Sequence, residues 1–204
     1  MEVAVALIAG AAAKLYDDFV DMNIVSNEYY LKMLETLQCF LLGALSINNF
    51  TFTIVIIIIN ILNYIANNDA YNLPYEWSLL TMYPILLLLS FSSRTYLSWF
   101  DFYVVVLLLC AMFIEPILVK EDKSPRKFIY RLSSGIICLI IMIAVPMSSG
   151  VLLNVAYLAG YMFVSSMVQG YFISHMNMNE FCISLTEGFQ DYASTLKSIL
   201  HITA

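Results

Sequence analysis

The chain has 204 residues, of which 61% are hydrophobic and only 12% charged, with a mean hydropathy of +0.82 and a formal net charge of -6. That composition excludes an ordinary soluble domain, in which roughly half the residues are apolar and about a quarter charged, and a disordered chain, which is poor in apolar residues. With 9 Lys and Arg against 15 Asp and Glu there is no basic footprint for nucleic acid, and the sequence reads as an integral membrane protein.

A hydrocarbon core about 30 Å thick requires roughly 20 apolar residues as helix, because backbone groups in lipid must be satisfied within the segment. On that ruler the sequence predicts an all-α polytopic bundle of about seven transmembrane helices over residues 1–174, near 1–17, 29–47, 51–67, 77–93, 99–119, 128–147 and 150–174. A cytoplasmic amphipathic tail follows over 175–204.

In the first segment the apolar run from Val3 to Ala13 is short and could be a signal-peptide core ending at Ala11-Ala12-Ala13. A signal peptide wants a basic leader and Glu2 stands there instead, so we read a retained helix that runs through Lys14 to the aspartates. The third segment, Thr53-Ile54-Val55-Ile56-Ile57-Ile58-Ile59, is β-branched, but its length and neighbours favour a helix. Asn67-Asn68-Asp69 and Asn72-Leu73-Pro74 are turn formers. Lys120 to Lys127 is the dense charge run, and Pro146 with Ser148-Ser149-Gly150 makes a reversal before the last span. In the tail, Glu180, Glu187, Asp191 and Lys197 alternate with Phe181, Leu185, Phe189 and Leu200 at a spacing suited to a surface helix.

Alternating seven spans across a bilayer places Lys14, Lys32, Lys120, Lys123, Arg126, Lys127, Arg131 and Lys197 at one side and leaves only Arg94 on the other. By the positive-inside rule that side is the cytoplasm, with the N-terminus outside and the C-terminus cytoplasmic. Cys39, Cys110 and Cys138 sit in apolar runs and read as small hydrophobes. Neither His175 nor His201 has partners at zinc-ligand spacing.

Asp17-Asp18-x-x-Asp21, following Lys14, is the constellation that could carry chemistry. On a helix these residues share about one turn and repel one another unless a cation offsets them. Hard oxygen ligands of this kind suit Mg²⁺, which is usually held by one or two carboxylates plus substrate phosphates. Arg126, Lys127 and Arg131 fall on the same predicted face and are candidate phosphate ligands, while Lys32 and Glu115 are candidate catalytic groups near it. Helix-end salt bridges and topology setting explain the same charges without chemistry. Asp101, Asn60, Asn63, Asn154 and Gln169 are, with Glu115, the informative polar groups deeper in the spans, and the Gly160 and Gly170 region suggests close helix packing.

The stretch Ala13-Lys14-Leu15-Tyr16-Asp17-Asp18-Phe19-Val20-Asp21-Met22, with Lys32 and Gln38 after it, resembles the aspartate-rich segment of membrane polyprenyl-phosphate transferases. The resemblance implies a Mg²⁺ site for a polyprenyl phosphate or diphosphate at the cytoplasmic face. The later Asn-x-x-Asn-x-x-Asp-Gly motif, the His-rich loop and the second Asp-rich cluster of those families do not occur in this sequence. Three functions are therefore carried forward: a non-catalytic structural or scaffold membrane protein, a Mg²⁺-dependent enzyme on a lipid phosphate, and a small-solute transporter or channel using Asn60, Asn63, Asp101 and Glu115.

Overall fold

A computed structural model of the chain describes residues 1–21, 28–47, 49–66, 84–88, 90, 99, 102–106 and 125–173, and among these every regular element is an α-helix. The long helices are α1 (Glu2–Asp21), α2 (Glu28–Ser46), α3 (Phe50–Ala66), α4 (Pro125–Ala144) and α5 (Ser149–Ile173). Four begin and end close to the segments predicted from hydropathy. The first, predicted as a span near 1–17 in a helix running on to the aspartates, extends as α1 to Asp21, so the aspartates lie on the helix. Most of the predicted spans 77–93 and 99–119, the tail 175–204, Arg94, Asp101 and Glu115 lie outside the described residues, as do the side chains of Asp21, Asn60, Asn63, Arg126 and Lys127.

Local chemistry sets the helix ends. The Asn49 carbonyl accepts the Thr53 N–H at 3.0 Å as α3 begins, and the Ser148 carbonyl accepts the Leu152 N–H at 2.9 Å at the start of α5. Asn and Ser favour this position, where a helix has unpaired N–H groups. Pro125 opens α4, where its missing N–H and fixed φ cost nothing.

Contacts fix the sense of each helix. Asn49 and Thr51 at the start of α3 meet Ser149 and Gly150 at the start of α5, so α3 and α5 run the same way. Val3 and Ala6 share an apolar cluster with Leu153 and Ala156, whereas Lys14 and Asp17, further along α1, meet Tyr161 further along α5. Helix α1 therefore also runs with α5. Helix α4 runs against it, because Gly135 faces Phe163 while Gly170 faces Phe128. Leu42 and Leu45, late in α2, pack with Ala6 and Ala9, early in α1, so α2 opposes α1.

The tightest seam lies between α1 and α5. Ala6, Ala9, Ala156 and Ala159 are fully buried there. A Cβ on Gly10 would overlap the Tyr157 carbonyl, and one on Gly160 would overlap the Leu7 carbonyl, so the two backbones touch where both side chains are absent. Such small-residue seams let helices approach when burial alone supplies little drive, as between membrane helices.

Around the apolar clusters, several polar side chains are buried and several large apolar ones exposed among the described residues. Lys14, Asp18, Gln38, Thr53, Arg131, Asn154 and Gln169 are buried, while Phe40 is 72% exposed, Ile143 87% and Leu88 77%. Within α5 the 23 residues Ser149–Tyr171 are long and apolar enough to cross a membrane.

Candidate functional site

The site grows out of two helical stripes. Ala6, Gly10, Lys14 and Asp18 follow one another at intervals of four on α1, as do Tyr157, Tyr161, Ser165 and Gln169 on α5, so each set lines one face of its helix. At the N-terminal end of the seam the facing residues are small. One turn further, at Lys14, the same stripe becomes charged.

Lys14 Nζ lies 2.5 Å from Asp17 Oδ2 and 2.9 Å from Asp18 Oδ1, bridging both carboxylates. The Tyr161 hydroxyl donates to the same Asp17 oxygen at 3.0 Å, and its ring lies below the ammonium with its centroid 5.1 Å from Nζ. From α4, Arg131 brings its guanidinium carbon to 5.5 Å from that ring centroid, and its Nη1 donates to Met162 Sδ at 3.6 Å. Both cations are within the range at which an aromatic face attracts positive charge. Lys14, Arg131, Asp17 and Asp18 sum to zero charge. That balance lets ionic groups be buried at all, since an unpaired charge in so apolar a setting is very costly.

The two carboxylates are not equivalent. The Asp17 side chain is 41% exposed, whereas that of Asp18 is 4% exposed. Among the described residues Asp18 Oδ2 is buried without a hydrogen-bond partner, and Ser165 Oγ and Gln169 Oε1, further along the facing α5 stripe, are in the same condition. Orphaned buried acceptors cost about 1–3 kcal/mol each. Their complement is a cation or a hydrogen-bond donor.

Of the residues the sequence singled out, Asp17, Asp18 and Arg131 converge, although Arg131 is separated from the aspartates by more than a hundred residues. Lys32 is exposed on α2, where its carbonyl accepts the Thr36 hydroxyl at 2.7 Å. Among the described residues no three His, Cys, Asp or Glu side chains form a metal-binding group. Tyr161 was not among the residues that the sequence singled out. Its signal was the stripe Tyr161, Ser165 and Gln169 at intervals of four within a mostly apolar helix.

Compared with models of known protein families, with curated proteins and with solved structures, the chain finds no match in any of the three.

Proposed function

We propose that the chain is a multi-pass membrane protein whose α1–α4–α5 cluster handles a lipid phosphate or diphosphate at the cytoplasmic face with the help of Mg²⁺. The observation that carries this reading is the meeting of Asp17 and Asp18 with Arg131 around Tyr161. From sequence, these are candidate metal and phosphate ligands.

The multi-pass part is supported by the buried polar and exposed apolar residues, and by the alternating sense of the helices. The helices matching predicted spans 1, 3 and 7 run one way and those matching 2 and 6 the other, as in a chain that crosses a bilayer at each span. A glycosylation acceptor fused ahead of Met1 should be modified in microsomes and one placed between Lys120 and Lys127 should not. Modification at the second position alone would reverse the orientation.

Support for a hard divalent cation comes from Asp18, which presents a buried oxygen with no hydrogen-bond partner among the described residues, and from Asp17, which is open enough to be reached. Bound there, Mg²⁺ would neutralise charge on the phosphate oxygens. Asp17 and Asp18 would hold it, with Tyr161 fixing Asp17 in place. Arg131 would hold phosphate oxygens, a role suited to its forked donors. The test is mass spectrometry of the lipids and metals that copurify with the protein. Wild type should carry a phosphate lipid and magnesium, and Asp18→Asn and Arg131→Met should lose both; identical profiles in all three would sink the assignment.

A scaffold role is the second reading, favoured by Lys14, whose ammonium already compensates both carboxylates. In that reading the cluster locks α1, α4 and α5 together and takes no ligand.

A further inference from the structure

Along the α5 face that meets α1, the seam changes character at Tyr161. Toward the start of both helices it is closed by backbone contact at Gly10 and Gly160. Toward their ends the same α5 stripe carries Ser165 and Gln169, 0% and 2% exposed, facing the part of α1 that holds Asp18. Resting on the lipid-phosphate reading, we infer that Ser165 and Gln169 form a subsite for the headgroup of that lipid, and that this headgroup carries hydroxyl groups.

Three buried oxygens support the assignment. Asp18 Oδ2, Ser165 Oγ and Gln169 Oε1 have no hydrogen-bond partner among the described residues. Buried polar atoms without partners are uncommon in native structures, and the complement of such an acceptor is an N–H or O–H group. Ser165 leaves a local alternative unused. Its neighbour Ser166 donates to the Phe163 carbonyl at 2.7 Å, and Ser133 donates to the Ile129 carbonyl, as serines within helices commonly do. Asn154 Oδ1 is unpartnered as well, but it lies beyond the closed part of the seam, toward the start of α5.

The placement suits a headgroup. Ser165 and Gln169 follow Tyr161 by one turn and by two, about 6 and 12 Å along the helix axis. Because α1 and α5 run the same way, this part of the seam leads to the side at which both helices end, the cytoplasmic face in the proposed orientation. With the other direction closed, a group esterified to a phosphate beside Tyr161 extends past Ser165 toward Gln169. Two of the three oxygens belong to neutral side chains, which match an uncharged hydroxyl. A headgroup ammonium would instead be repelled by Lys14, whose Nζ lies 2.9 Å from the other Asp18 oxygen. Such a subsite selects strongly, since a headgroup without donors leaves the same acceptors unpaired.

The test titrates the full-length protein in detergent with dioleoyl phosphatidylglycerol and dioleoyl phosphatidylethanol, with native mass spectrometry as the readout. Both lipids have the same chains and a single negative charge, but only the glycerol headgroup has hydroxyls. Wild type should bind phosphatidylglycerol at least tenfold more tightly than phosphatidylethanol. In Gln169→Met and Ser165→Ala, phosphatidylglycerol binding should fall toward the phosphatidylethanol level. The lipid-free unfolding midpoints of both variants should hold or rise, because each removes a buried oxygen that has no partner. Equal binding of the two lipids by wild type would overturn the subsite and leave the lipid-phosphate reading standing. Binding of neither lipid defeats that reading, and the subsite with it. A fall in both lipid-free midpoints, or a failure of both variants to fold, would show that Ser165 and Gln169 serve the packing of the protein itself, and the subsite would be wrong.

Discussion

Gly10→Ala and Gly160→Ala should each destabilise the bundle by about 3 kcal/mol or more, at or beyond the upper end of what overpacking normally costs. The added methyl has nowhere to go, because its position coincides with a backbone carbonyl of the other helix, Tyr157 in one case and Leu7 in the other. Side chains can rotate away from a clash, but a helical carbonyl cannot move without displacing its helix. Separating α1 from α5 would also lift Lys14 and Asp17 off Tyr161, so ligand binding should fall along with stability. Gly43→Ala is the control. Nothing lies within 4 Å of a Cβ there, and alanine in a helix interior is worth about 1 kcal/mol over glycine. The unfolding midpoint in an SDS titration should drop sharply for the first two variants and hold or rise for the third. A neutral Gly160→Ala would mean that the seam between the helices is looser than described.

The same seam shows what could be read from the sequence and what could not. Among the described residues, hydropathy located α2 to α5 closely, since long apolar runs of this kind satisfy their backbone as helix. It ended the first apolar span near residue 17, within the charged Lys-Leu-Tyr-Asp-Asp stretch, and the helix itself runs on to Asp21. In fact Lys14 pairs with carboxylates three and four residues on, and that local compensation lets the helix continue to Asp21. The candidate site was half legible. Asp17 and Asp18 stood out because charge is scarce in this chain, and sidedness pointed to Arg131. No spacing rule could pair α1 with α5, which lie some 150 residues apart, or identify Tyr161 among 14 tyrosines as the one that bonds Asp17. Such pairings belong to tertiary packing, and Gly160, immediately before Tyr161, was the trace of it left in the sequence.

Lys14→Met should cost about 3–5 kcal/mol, the range expected when one partner of a buried ion pair is removed and the other is left uncompensated. Most of that penalty belongs to Asp18, whose side chain is 4% exposed, and less to Asp17, which is 41% exposed and keeps the Tyr161 hydroxyl. It follows that Lys14→Met/Asp18→Asn should regain most of the lost stability, since the orphaned charge goes with its partner. Lys14→Met/Asp17→Asn should regain little. Unfolding midpoints of the four proteins in a metal-free buffer measure this directly, and strictly additive losses would show that Lys14 and Asp18 do not form a coupled pair. Repeating the series with Mg²⁺ separates the two functional readings. A cluster that exists only to lock helices gains nothing from the cation, and Lys14→Met stays destabilised. A cluster built to hold a metal regains stability in Lys14→Met but not in Lys14→Met/Asp18→Asn, because a carboxylate that would hold the metal has been neutralised.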